Sequence, residues 1–258
     1  MSFAARVISR SNILILVAIL LLPLSFATSA LAGAATWQSS NIQYLYGSNF
    51  ELGDSARSTL TFEHANGWKY GDNFFFVDVL NPVTDGNNTQ TELYAEFSPR
   101  LSLSSLTGKK LSFPLVKDVL LAGTLEMGKT DFGGFRNYLY GVGFSLDLPK
   151  FAFADLNLLV RDNPKQEGLT AQATIDWMLP FNMSSAKLVF EGFADLAGAE
   201  GDTVLNLDIQ PRLLLDLGNF WNTPGNLFAG MEYIYWHNKF GIDGVEENVA
   251  QAMVKVVF

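Results

Sequence analysis

Along most of the chain, apolar and polar residues alternate. Leu93, Ala95 and Phe97 interleave with Glu92, Tyr94, Glu96 and Ser98. Ala154, Leu156, Leu158 and Val160 interleave with Asp155, Asn157, Leu159 and Arg161. The same beat runs through Leu169 to Trp177, Leu205 to Ile209 and Ala252 to Phe258. A period of two belongs to strands with one apolar and one polar face. Turn-forming residues divide these runs into twelve predicted strands, near 37–46, 57–65, 70–80, 90–103, 117–128, 136–148, 151–162, 168–179, 186–196, 203–215, 226–238 and 248–258.

The connections fall into two sets. Those after the odd-numbered strands gather most of the Gly, Asn and Asp, as in GSNFELGDSA, NPVTDGNNTQ and NKFGIDGVEEN. Those after the even-numbered strands are mostly tight, with 104–116 the exception. An even strand count with two kinds of rim predicts an all-β fold, a twelve-stranded antiparallel transmembrane β-barrel. Closure removes sheet edges, which lipid cannot hydrate. In the runs above the apolar parity carries no charge, as required where a mid-membrane Lys or Arg costs about 2–4 kcal/mol. A soluble sandwich with one wet face would alternate too, but has no need of two kinds of rim or a terminal aromatic. Phe258 ends an alternating final strand; it reads as an outer-membrane assembly signal and makes the assembly machinery an expected partner. Pro99 and Pro211 fall inside predicted strands, where they cannot donate to the ladder. They read as bulges near the periplasmic rim that turn Arg100 and Arg212 inward.

The start of the chain has a different pattern. Arg6 and Arg10 precede the apolar run Ile13 to Leu22, Pro23 ends it, and Ala30-Leu31-Ala32 gives an A-x-A cleavage site. The run has the length of a signal-peptide h-region, shorter than a bilayer span. Residues 1–32 are therefore expected to be a signal peptide and 33–258 the barrel, exported to the outer membrane. Loss of Arg6 and Arg10 from the 17 basic residues leaves 15 against 26 acidic, a net charge of −11. That balance, without a basic stripe, argues against nucleic acid polymers as partners. The chain has no cysteine, so it forms no disulfide and takes no lipid at the cleavage site.

Parity assigns each side chain to lipid or lumen. In GDNFFFVDVL, Asp72, Phe74, Phe76 and Asp78 share one face, and Phe75, Val77 and Val79 the other. Carboxylates belong in water, so the first set is expected in the lumen and Phe75 in lipid. The same reasoning puts Glu63, then Glu92, Tyr94 and Glu96, then Glu191, Phe193 and Asp195, then Glu232 and Trp236 along the lumen. Arg57, Arg100, Arg161, Lys187, Arg212 and Lys255 are the basic candidates there. Trp68, Tyr70, Tyr138, Tyr140, Tyr233 and Tyr235 suit an interfacial girdle or the lipid face. Two roles stay open for the lumenal set: filling and cross-lumen pairing, or a solute path in which rings stack on a base and carboxylates accept from sugar hydroxyls. His64 and His237 are the only histidines. Neither has a partnered nucleophile in view, so no enzyme, metal site or cofactor is expected.

Trp37 to Gly47 (WQSSNIQYLYG) and Thr61 to Asp78 (TFEHANGWKYGDNFFFVD) resemble the Tsx-like nucleoside-specific channel family. Glu96 to Arg100 (EFSPR), Tyr140 to Gly143 and Tyr235 to His237 resemble it as well, so the likeness runs from about Trp37 to Phe258. It implies a monomeric twelve-stranded barrel whose narrow pore conducts nucleosides along aromatic residues flanked by ionisable ones. The compact loops are more similar to the OmpK-like branch. The expected function is passive, selective diffusion of nucleosides across the outer membrane. The alternative is a general small-solute porin with an incidental role as a phage or colicin receptor.

Overall fold

The computed structural model describes residues 35–82, 91–130 and 133–258. The expected signal peptide, with Ala30 and Ala32, lies outside them. Twelve antiparallel strands close into a barrel in sequence order, with β1 beside both β2 and β12. They are β1 (Ala35–Ser48), β2 (Ala56–Trp68), β3 (Gly71–Leu80), β4 (Glu92–Ser102), β5 (Val116–Thr130), β6 (Gly133–Leu146), β7 (Phe153–Asp162), β8 (Thr170–Met183), β9 (Ala186–Ala197), β10 (Asn206–Asp216), β11 (Leu227–His237) and β12 (Glu247–Val257). Each predicted strand is present, with ends shifted by a few residues. The exceptional connection after β4 opens with a short helix, α1 (Leu103–Thr107).

Side chains that meet across non-adjacent strands identify the inner face. Arg212 on β10 reaches Glu63 on β2 at 3.0 Å, although β11, β12 and β1 separate the two strands. Arg100 on β4 reaches Asp155 on β7 at 3.0 Å, and Lys255 on β12 reaches Glu191 on β9 at 2.6 Å. Such contacts exist only through the interior. Alternation then turns Leu93, Phe97, Tyr140, Leu158, Tyr233 and Val254 outward, and all six are exposed. Phe258 is exposed as well, and its backbone pairs with Ser40 beyond the end of β12.

The prolines are not bulges. β4 pairs with β5 through Phe97↔Leu125 and resumes at Arg100↔Ala122. The ladder skips Ser98 and Pro99 without changing register, and Ser98 Oγ bonds Thr124 Oγ1 at 2.9 Å across the gap. β10 likewise resumes its pairing with β11 at Arg212↔Glu232 after Ile209↔Tyr235, while its pairing with β9 runs unbroken through Pro211↔Gly192. Pro211 also stands mid-strand, away from either rim. The missing N–H removes a ladder bond on one side only, which a strand tolerates without an inserted residue. A register shift does occur in β5, between Val116 and Asp118.

The two rims differ in charge. The terminal rim, where β1 begins and β12 ends, has Lys69, Lys109, Lys110 and Lys150 against Asp147 in its connections. The described connections of the other rim have Lys165 and Lys239 against Glu51, Asp54, Glu167, Glu200, Asp202, Asp243 and Glu246.

Candidate functional site

The inner face carries three charged clusters. In the first, Arg212 bonds Glu63 at 3.0 Å and Glu232 at 2.5 Å. Glu191 stands 3.9 Å away from Arg212 and accepts from Lys255. Asn41 donates to Glu63 at 3.0 Å and Gln251 to Glu232 at 2.8 Å. In the second, Arg100 grips both oxygens of Asp72, at 2.7 and 3.0 Å, and also bonds Asp155. In the third, Arg161 holds Glu126 with two bonds of 2.7 Å and Gln172 with another. Charge-assisted and paired bonds of this kind are the strong, orienting ones. They fix the wall, and they occupy Glu63, Asp72, Glu191, Glu232, Arg100 and Arg212. These six predicted lumenal residues form inter-strand ties.

Of the remaining predicted residues, Phe74, Phe76, Asp78, Glu92, Tyr94 and Glu96 stand together on the inner face of β3 and β4. Phe74 and Phe76 lie with centroids 5.8 Å apart, Phe76 and Tyr94 5.6 Å, and Tyr94 and Phe135 5.9 Å at an interplanar angle of 29°. The four rings form a ladder running from β3 over β4 to β6. Phe74 shares the inward parity of Asp72 and is 38% exposed. Carboxylates flank the ladder. Glu96 accepts from the Tyr94 hydroxyl, and Asp78 accepts from Thr61 Oγ1 at 2.5 Å. On β9, Phe193 and Asp195 share the parity of Glu191, and Asp195 accepts from Thr174. Glu92 stands at the start of β4 on the same face as Tyr94 and Glu96.

The interior is unevenly filled. The inward residues of β1 from Asn41 to Gly47 and of β12 from Glu247 to Lys255 are buried, with Gln43 at 0% exposure. Leu45, Leu214, Phe228 and Met253 pack together there. No inward residue of β3 is buried, and of the inward residues of β8 only Gln172 is. The inward side chains of β3 and β8 are thus less enclosed than those of β12. At the mouth opposite the termini, Phe50 from the β1–β2 connection packs on Ile234 and Val249. Phe240 caps Trp236 at 4.6 Å, so Trp236 belongs to this mouth packing. Lys239 lies over both rings and bonds Glu247. Burial draws its ammonium below the ordinary lysine range against the pull of Glu247.

Sequence reasoning missed Phe135 and Gly128. Phe135 falls within GKTDFGGF, which reads as a turn, yet β6 begins at Gly133 and takes Phe135 into the wall. Gly128 sits opposite both Tyr94 and Phe135. A Cβ there would come 2.5 Å from the Phe135 ring, so the missing side chain lets Phe135 lie across β5 and reach Tyr94. The signal was the match between Phe135 and the inward parity of Asn137 and Leu139. Among the described residues, no group of three or more His, Cys, Asp or Glu is arranged to hold a metal ion.

Comparison with known proteins agrees with this architecture. The profile of the nucleoside-specific channel-forming protein Tsx matches residues 32–253. The chain is 27% identical over 197 residues to outer membrane protein OmpK of Vibrio parahaemolyticus serotype O3:K6, covering 69% of this chain and 74% of that protein. A second Vibrio parahaemolyticus OmpK is 26% identical over 130 residues, 48% of this chain and 49% of its own length. Two solved porins superpose loosely. The KdgM porin in complex with disordered oligogalacturonate has a TM-score of 0.47 at 11% identity, covering 84% of this chain and 99% of its own. The NanC porin has a TM-score of 0.48 at 11% identity, covering 84% and 98%. A profile that spans nearly the whole closed barrel, from before β1 to within β12, leaves one conclusion: the chain belongs to the Tsx family of channel-forming proteins of the bacterial outer membrane.

Proposed function

We propose that this channel is selective for nucleosides, which diffuse passively along the aromatic wall. The observation that carries the reading is the ladder Phe74–Phe76–Tyr94–Phe135, with Glu96 and Asp78 beside it. A water-filled pore for general solutes does not need a run of four lumenal rings. A base gains about 1–3 kcal/mol on each ring it stacks on. Carboxylates beside the rings accept from ribose hydroxyls and exocyclic amines. Several modest sites in series hold a solute weakly enough to release it onward. The family description, a nucleoside-specific channel, supports the same substrate class.

The excess of carboxylates inside the barrel disfavours phosphates. Nucleosides are therefore expected to enter liposomes containing the purified protein much faster than the corresponding monophosphates. Equal entry of the two would overturn the selectivity and leave a general porin. We read the protein as a monomer, as the family resemblance implies; the closed barrel needs no neighbour's strand to satisfy its sheet edges. Phe258 serves recognition by the assembly machinery: Phe258→Ala should lower the outer-membrane fraction in cells while leaving refolding in detergent unchanged.

A further inference from the structure

The connection 103–115 is the longest on the terminal rim, and its construction is specific. Ser102 caps α1 through a bond from Ser105 N at 3.0 Å, and Gly108 ends the helix in the left-handed conformation. Asp118 accepts from the hydroxyls of both Ser102 and Ser104 at 2.5 Å, and Ser104 Oγ in turn accepts from Leu111 N at 2.9 Å. The segment is thus held in one shape. Yet that shape leaves Leu106, Leu111, Phe113 and Leu115 exposed, Leu115 to 64%. A water-facing strap has no reason to fix four large apolar side chains outward.

Its position resolves the conflict. Phe113 packs edge-on against Phe144 at 6.4 Å, and Phe144 has the outward parity of Tyr138 and Tyr140. The start of the segment is tied to the inward-facing Asp118, and Phe113 carries its second half over the lipid side of the wall, continuous with the band that faces the bilayer. Lys109 and Lys110 stand between the apolar residues, both exposed. This rim is the basic one, whereas the opposite rim is acidic. A chain exported across the inner membrane inserts from the periplasm, so an even-stranded barrel keeps both ends on that side.

We infer that the 103–115 connection is a leaflet anchor: it lies in the periplasmic leaflet of the outer membrane, with Leu106, Leu111, Phe113 and Leu115 below the headgroups and Lys109 and Lys110 on the phosphates of anionic phospholipids. Apolar residues beside lysines at an interface bind in this way, by burial plus attraction to anionic lipid. The anchor sets the depth and orientation of the barrel independently of what the pore conducts.

The absence of cysteine makes single-site labelling direct. Spin labels at Leu106→Cys and Leu111→Cys, in barrels reconstituted in phosphatidylethanolamine–phosphatidylglycerol vesicles, should collide several-fold more often with oxygen than with a water-soluble nickel complex. A label at Asn163→Cys on the opposite rim should show the reverse. Equal nickel access at all three positions would overturn the proposal, as would protection that appears only after periplasmic protein is added. Lys109→Gln with Lys110→Gln should lower phosphatidylglycerol retention several-fold in native mass spectrometry, and Lys165→Gln should not. Unchanged retention in the double variant would overturn the lysine–phosphate assignment.

Discussion

Phe75 and Phe76 are neighbours in the chain and face different media. Phe75 meets Phe62 on the outer wall at 6.5 Å, and Phe76 meets Phe74 and Tyr94 inside. A strand produces that division from parity alone, which is why Asp72 and Asp78 sufficed to sort the triple Phe. Parity does not show which inward carboxylates are engaged. Glu63 and Glu96 have the same character in sequence, but Arg212 reaches Glu63 from across the barrel, a contact 149 residues away in the chain. Removing one member of a buried ion cluster typically costs about 3–5 kcal/mol, because the partners stay buried and unpaired. Arg212→Met should destabilise the barrel by about that amount, read as a lower urea midpoint in detergent. At the ladder, Phe135→Ala should weaken nucleoside block of the channel by about 1 kcal/mol, roughly fivefold, at the low end of base stacking. A titration of block against nucleoside concentration measures this.

At the scale of elements, alternation located all twelve strands, because each has an outward face on lipid and an inward face on polar groups. The ends were less legible. Gly133 and Gly134 carry the signature of a turn, and neighbouring strands recruit them into β6 nevertheless. The prolines misled for a related reason. Local chemistry predicts a bulge, but β10 keeps one register with β9 along its whole length, and an inserted residue would turn every later side chain to the wrong face. Gly192 accommodates Pro211 opposite it. Its φ is +151°, and a Cβ would fall 2.4 Å from the Gln210 carbonyl oxygen. Gly192→Ala should therefore cost about 1–3 kcal/mol, measured as the same urea midpoint, with the folded barrel still closed.

On the scale of the whole molecule, closure converts twelve half-apolar strands into a wall with lipid outside and a polar interior. The uneven filling of that interior was not legible in the sequence. Every inward residue of β12 reads as lumenal, yet Glu247, Val249, Gln251, Met253 and Lys255 are all buried. Long side chains from facing strands fill that sector, whereas no inward residue of β3 is buried. On the proposed function, solutes cross the barrel along the aromatic ladder. Single-channel conductance in planar bilayers, recorded with and without adenosine, tests this most directly. Reversible block of the wild-type current is expected, lost in the Phe74→Ala, Phe76→Ala variant while the open channel still conducts. An ohmic current indifferent to adenosine, or a block that survives in the variant, would contradict it.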